Sequence, residues 1–192
     1  PLLIFNCITM KKLTALTTTL VFSLFFFACS NDDQPVNEEE VITTVIATFI
    51  GGGEIITLTS RDLDGDGPNP PEISVTGPFT NGVTYAGSLT FLNELENPVE
   101  DITIEIEEED DEHQIFFQIN NNLGTFAYTD ADANGNPLGL SFTFTAQNAG
   151  TGQLTITLRH EPNKSAPGVA AGDITNAGGE TDVEVTFNVT VQ

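Results

Sequence analysis

The stretch that decides the fold is Val183-Glu184-Val185-Thr186-Phe187-Asn188-Val189-Thr190-Val191, in which apolar and polar residues alternate without a break. This period of two, with β-branched residues at most apolar positions, is typical of an antiparallel strand with one buried face. Similar alternation runs through residues 102–106, 140–144 and 154–158, and less regularly through 41–50, 54–59, 84–92, 113–119 and 124–129. Turn-forming residues separate these runs. The chain therefore predicts an all-β fold, an antiparallel β-sandwich (immunoglobulin-like or similar) of about nine or ten strands.

The N-terminal part has the layout of a bacterial lipoprotein signal peptide. Met10-Lys11-Lys12 supplies a basic start, residues 13–28 form an uncharged run too short for a good membrane span, and Ala28 precedes Cys29. We expect cleavage after Ala28 and acylation of Cys29, which anchors the protein stably when several chains are attached. The alternative is a short N-terminal transmembrane anchor, or a buried helix, in which Cys29 is merely buried.

This layout predicts four segments. Residues 1–9 are upstream sequence from a misplaced start codon, 10–28 are the signal peptide, 29–39 hold the lipidated cysteine and a disordered acidic tether, and 40–192 form a single β-sandwich domain. Asp32 and Asp33, just behind Cys29, resemble the acidic export signal of Bacteroidota lipoproteins. The expected location is the outer membrane, lipid-anchored and facing the cell exterior.

The charge balance limits the partners. The chain has a formal net charge of −23, and Lys11 and Lys12 leave with the signal peptide. A protein with this much negative charge is repelled by nucleic acid and by anionic lipid surfaces. We therefore expect that it has no nucleic-acid partner and that it contacts the membrane only through its lipid anchor. With Cys29 acylated no thiol remains for disulfides, thiolate metal sites or catalysis. The sequence also lacks a GxSxG motif and a zinc-protease helix motif, so the protein is expected not to be an enzyme.

The two histidines of the chain are the first candidate site. His113 shares strand parity with apolar Ile115 and opens its run, whereas His160 shares parity with Leu158 and closes its run. If the two strands are antiparallel, both imidazoles lie at the same end of the sandwich. Together with the neighbouring Glu112 and Glu161 they could bind zinc or copper. The alternative is two histidines that cap the edge of the core with ordinary hydrogen bonds.

Two loops are candidate calcium sites. Asp62-Leu63-Asp64-Gly65-Asp66-Gly67 begins like a calcium-binding loop, with oxygen ligands at positions one, three and five and then a glycine, although the remainder of the EF-hand pattern is missing. A second copy has Asp130, Asp132 and Asn134 at the same positions. Either loop could hold a structural calcium, or could simply be a turn rich in residues that favour turns.

Two connections are unusually long for a compact β-domain. One is the acidic stretch of residues 107–112, which could attract a cation or a basic protein, or could be a solvated hairpin tip that resists edge aggregation. The other, residues 161–180, is rich in glycine, alanine and proline and is expected to face a partner or to cover the site.

Several blocks of the chain resemble a group of small, uncharacterised flavobacterial outer-membrane lipoproteins. The resemblance lies in Cys29-Ser30-Asn31-Asp32-Asp33, Glu38-Glu39-Glu40-Val41-Ile42, Glu107-Glu108-Glu109-Asp110-Asp111-Glu112-His113-Gln114, Leu158-Arg159-His160-Glu161-Pro162-Asn163-Lys164 and Gly178-Gly179-Glu180-Thr181-Asp182. That group is sometimes labelled a type 1 periplasmic-binding fold, which would imply βα units that this sequence lacks. Its members tend to be encoded near TonB-dependent receptors, which implies a role in capturing or handing over a nutrient.

These observations lead to two functional expectations. The first is a surface-anchored, non-enzymatic lipoprotein that binds a ligand, including a divalent transition metal, or a partner for a TonB-dependent outer-membrane uptake system. The second is a calcium-stabilised adhesion or structural interaction module of the cell surface. The first expectation requires His113 and His160 to lie within about 5 Å of each other, because metal ligands lie about 2 Å from a shared ion.

Overall fold

Two antiparallel β-sheets face each other across one hydrophobic core. The computed structural model describes residues 40–65 and 67–192. Seven strands form the larger sheet, in the order β3-β2-β1-β4-β8-β7 with β5 paired to β4, and three form the smaller one, in the order β10-β9-β6. The strands are β1 (Thr44–Gly51), β2 (Glu54–Arg61), β3 (Glu72–Val75), β4 (Thr84–Asn93), β5 (Glu100–Asp101), β6 (His113–Ile119), β7 (Gly124–Tyr128), β8 (Ser141–Ala146), β9 (Gly150–His160) and β10 (Glu180–Val191). The predicted all-β sandwich is confirmed.

Phenylalanine rings from different strands fill the core. Phe49 of β1 meets Phe79, Phe142 and Phe144 edge-to-face, with ring centroids 5.0, 5.4 and 5.9 Å away. This is the favourable arrangement for aromatic pairs. Gly87 of β4 makes room for one of these rings, since a Cβ there would lie 2.1 Å from Phe142 Cε2. The alternating apolar positions of the strands therefore bury bulky rings between the two sheets.

Residues 102–106 form no strand, and that prediction is wrong. They begin the one α-helix among the described residues, α1 (Ile102–Glu108). Asp101 caps it by accepting a hydrogen bond from the Thr103 amide. Ile102 and Ile106 are buried while Ile104 is exposed. An i, i+4 pair lies on one helix face, so a sequence with isoleucine at every second position suits a helix as well as a strand.

The connection between β9 and β10 is ordered. It contains two 3-10 helices, Val169–Ala171 and Ile174–Asn176. Val169 and Ala177 are buried against Phe116, which belongs to β6. The Gln114 side-chain amide, also on β6, donates a hydrogen bond to the Val169 carbonyl at 2.9 Å. The connection thus covers the outer side of β6, next to the strand end that carries His113.

No helix among the described residues is long and apolar enough to cross a membrane. The predicted signal peptide, Cys29 and the predicted tether lie outside those residues, so cleavage, acylation and export stay predictions.

Candidate metal centre

The two histidines lie side by side at one end of the smaller sheet. His113 is the first residue of β6 and His160 the last of β9, and the antiparallel register pairs them directly. Their rings stack with centroids 4.7 Å apart and planes 18° from parallel. Both side chains are buried. The distance that metal binding requires of this pair is therefore present.

A β-bulge brings a carboxylate to the pair. In the pairing of β10 with β9 the register shifts between Thr181 and Val183, which leaves Asp182 as the extra residue. Its side chain is only 6% exposed, and its Oδ1 lies 4.0 Å from Nδ1 of His160. Bulges redirect a side chain in this way and are frequent beside functional sites.

A second carboxylate comes from the segment before β1. Oε1 of Glu40 lies 2.8 Å from Nε2 of His113, and the Glu40 side chain is 2% exposed. The ligand atoms of Glu40, His113, His160 and Asp182 all lie within 4.8 Å of one another. This buried group of two imidazoles and two carboxylates could hold a metal ion.

Two oxygens of this group have no hydrogen-bond partner among the described residues. They are Oε2 of Glu40 and Oδ2 of Asp182, both buried. An unsatisfied buried polar atom destabilises a fold by roughly 1–3 kcal/mol, and more when it is charged. A cation bound between the carboxylates would compensate this charge.

A backbone hydrogen bond orients His113. Its Nδ1 lies 3.1 Å from the Glu109 carbonyl oxygen, which can only accept, so Nδ1 carries the proton. In the neutral ring Nε2 then presents a lone pair to the Glu40 carboxylate 2.8 Å away. The contact is short but is not aligned as a hydrogen bond. Two acceptors so close need a proton or a cation between them, and a metal-ligating histidine is commonly fixed through its other nitrogen in this way.

The pKa values reflect this crowding. Burial, followed by the negative charge of Glu40, raises the pKa of Asp182 from 3.8 to about 6. For His113, burial favours the neutral ring, but the contacts with Glu40 and with the Glu109 carbonyl and the charges of Glu40 and Asp182 together raise its pKa. For Glu40, burial favours the acid, but the contact with His113, a backbone hydrogen bond and the nearby His160 together lower its pKa. The pocket therefore attracts positive charge.

The four predicted ligands do not form one cluster. Glu112 and Glu161 lie with His160 in a second group whose ligand atoms also fall within 4.8 Å of one another, and both carboxylates are exposed. Oε2 of Glu112 lies 3.6 Å from Nε2 of His160. His113 belongs to the buried group with Glu40 and Asp182. His160 belongs to both groups.

Glu40 and Asp182 were not among the ligands predicted from the sequence. Glu40 ends a run of three glutamates at the domain start, where nothing in the sequence distinguishes a buried side chain from a solvated one. Asp182 has the polar-face parity of Glu184, and only the bulge turns it inward. A bulge of this kind carries no sequence signal here.

The first predicted calcium loop is a turn held by its own side chains. Oδ1 of Asp62 accepts hydrogen bonds from the amides of Asp64 and Gly65, and Oδ2 of Asp64 accepts from the Asn69 side chain. Asp64 is exposed, whereas Asp62 is half-buried. Asp66 lies outside the described residues. Calcium binding at this loop stays a prediction.

In the second predicted calcium loop, carboxylate oxygens accept protein hydrogen bonds. Asp130 accepts from the amides of Gly139 and Ser141. Asp132 accepts from the Asn134 amide and from the ammonium group of Lys164, 3.1 Å away. Asn134 takes part in these hydrogen bonds through its backbone amide. Lys164 thus supplies positive charge where a calcium ion was predicted.

Comparison with protein-family models, with curated proteins and with solved structures found no match to this chain.

Proposed function

We propose that this protein is a surface-anchored, non-enzymatic lipoprotein whose β-sandwich binds a divalent transition metal, zinc or copper. The ligands are Glu40, His113, His160 and Asp182. One observation carries the proposal: two imidazoles and two carboxylates are buried together with ligand atoms within 4.8 Å. Charged side chains are rarely buried unless they are paired or coordinate a metal.

The ligand chemistry favours zinc or copper over calcium. Imidazole nitrogen suits zinc and copper, whereas calcium takes six to eight oxygen ligands. Four ligand atoms placed tetrahedrally about 2.0 Å from an ion lie about 3.3 Å from each other. The distance of 4.0 Å between Nδ1 of His160 and Oδ1 of Asp182 therefore has to shorten only slightly when an ion binds.

The stacked rings have to rotate on binding. An ion bound to imidazole lies in the plane of that ring, and the planes of His113 and His160 are now only 18° from parallel. Coordination of one ion by both rings tilts them apart. Loss of the stacking is thus a structural signature of the loaded state.

The sequence position of the site fits a role close to the membrane. Glu40 follows Cys29 by eleven residues, and eleven extended residues span at most about 40 Å. Acylation of Cys29 would keep the metal within that distance of the outer membrane. We propose that the ion is handed to a TonB-dependent receptor there, a step that rests on the resemblance described above.

Calorimetry on the mature chain with Cys29→Ser, which removes the acylation site, tests the proposal. We expect one equivalent of zinc or copper to bind with a Kd of about 1 μM or lower, and His113→Gln to weaken that binding at least tenfold. Glu107→Gln, an exposed residue of α1, is the matched control and should change nothing. Calcium binding alone, unaltered in His113→Gln, would contradict the proposal and favour a calcium-stabilised adhesion module.

A further inference from the structure

The two ring nitrogens of His160 face different groups of carboxylates. Nδ1 lies 4.0 Å from Oδ1 of Asp182, on the side of the buried group. Nε2 lies 3.6 Å from Oε2 of Glu112, and Glu112, Glu161 and His160 form a group whose ligand atoms lie within 4.8 Å of one another. A neutral imidazole can bind a metal through either nitrogen. One ring therefore connects two possible cation positions.

The two positions differ in their access to solvent. In the buried group the Glu40 and Asp182 side chains are 2% and 6% exposed. On the other side of the ring the Glu112 side chain is 51% exposed, and Glu161 is exposed as well. A hydrated ion can reach Glu112 and Glu161 directly, whereas it has to lose most of its water to reach Asp182.

The backbone holds the outer carboxylates beside the ring. Glu161 follows His160 at the end of β9, and its amide donates a 2.7 Å hydrogen bond to the carbonyl of Glu112. Gly179 packs against the same corner, where a Cβ would lie 2.2 Å from the His160 carbonyl oxygen. The backbone of Glu112 and Glu161 is thus held next to the ends of β6 and β9, the strands that carry the two histidines.

We propose that Glu112, Glu161 and Nε2 of His160 form an outer site that receives a divalent transition metal and passes it to the buried site. This inference rests on the proposed function. Three protein ligands with water in the remaining position make an open site, as is usual where a zinc ligand must be exchanged. The buried site has four protein ligands and is the more closed of the two.

The transfer conserves protons at His160. While Nε2 binds the ion, the ring proton is on Nδ1. When the ion moves to Nδ1, the proton on Nδ1 is released to solvent water and Nε2 takes up one proton from solvent water, so no net proton is released. The metal–Nε2 bond breaks and the metal–Nδ1 bond forms, with no change in oxidation state and no further reactant.

Stopped-flow loading with zinc alone tests the outer site in the mature chain carrying Cys29→Ser. In Glu112→Gln/Glu161→Gln we expect loading of the buried site to slow by about tenfold or more, because the outer site loses two of its three protein ligands. The equilibrium affinity of the buried site should change less than about threefold. Glu107→Gln/Glu108→Gln removes the same charge from exposed positions of the adjacent helix, and should load at a rate within about twofold of the parent.

The outcomes separate this inference from the proposed function. If the parent binds no zinc at equilibrium, the proposed function fails. If it binds zinc, but the Glu112/Glu161 variant loads at the rate of the control, the outer site is refuted and the buried site stands. Equal slowing in both double variants would also refute it, because general electrostatic attraction would then explain the rate.

Discussion

Replacing Asp182 with asparagine should stabilise the metal-free protein. The pKa of this carboxyl is raised from 3.8 to about 6 by burial and by the charge of Glu40. At about 1.4 kcal/mol for each pKa unit, the buried charge destabilises the fold at pH 7 by about 3 kcal/mol. The buried asparagine amide also needs hydrogen-bond partners, which reduces the gain in stability. We therefore expect Asp182→Asn to raise the free energy of unfolding by about 1–3 kcal/mol.

The effect has a defined pH dependence. Between about pH 6 and 3.8 the folded state binds a proton at Asp182 more strongly than the unfolded state does, so this contribution to stability rises as the pH falls. His113, whose pKa is raised, contributes in the same direction: its stabilisation is complete below the unfolded pKa and disappears as the pH rises through the folded one. Asp182→Asn should remove the part due to Asp182 and reduce the part due to His113, because the charge of Asp182 helps to raise the pKa of His113.

Zinc should stabilise the parent more than Asp182→Asn and so reduce the difference between them. A ligand present at 100 times its Kd adds about 2.7 kcal/mol to the parent, whereas Asp182→Asn, lacking one ligand, should gain clearly less. Urea unfolding at pH 7, with chelator or with zinc, measures both quantities, and Asp111→Asn at an exposed position is the control for net charge. A metal-free Asp182→Asn that is less stable than the parent, or an equal zinc effect in both, would refute the reasoning.

Three other predictions concern the structure around the site. Ile106→Ala, at a buried position, should destabilise the protein by about 2–4 kcal/mol. Ile104→Ala, at a position 56% exposed, should change its stability by less than about 0.5 kcal/mol. Equal effects of the two variants in urea unfolding would contradict the placement of these residues in helix α1. Lys164→Met should lower the free energy of unfolding by about 2–4 kcal/mol, because it leaves the buried Asp132 carboxylate without its ion pair. Adding Asp132→Asn should recover most of this loss. A double-mutant cycle that shows no recovery would argue against the ion pair. Burial opposes the charge of Asp132, but hydrogen bonds from Asn136 and Lys164 outweigh it and lower its pKa. Its stabilisation is therefore present above about pH 4 and lost as the pH falls through the folded pKa, and Asp132→Asn should reduce the acid sensitivity seen in a pH series of unfolding curves.

The positions of the histidines could be predicted from strand parity. A residue with the parity of buried neighbours points into the core, and antiparallel pairing places the start of one strand beside the end of the other. His113 and His160 satisfy both conditions, and the register pairs them. The local pattern thus places each histidine at a strand end with inward parity, whereas the pairing of β6 with β9, which makes them adjacent, is shown by the structure.

The other two ligands of the buried group could not be predicted in that way. Asp182 is turned inward by a bulge, which breaks the parity on which the prediction depends. Glu40 is placed by contacts with β6 that are distant in sequence. Strands β3 and β5 were not predicted because they have only four and two residues, too few for a period of two to be recognised. Pairing with a neighbouring strand defines them.

X-ray absorption at the zinc edge of the loaded mature chain tests the central claim most directly. Binding by the buried group predicts two imidazole nitrogens at about 2.0–2.1 Å and two carboxylate oxygens at about 2.0–2.2 Å, with the imidazole signal lost in His113→Gln/His160→Gln. A shell made only of oxygen atoms, or a spectrum unchanged in that variant, would contradict it.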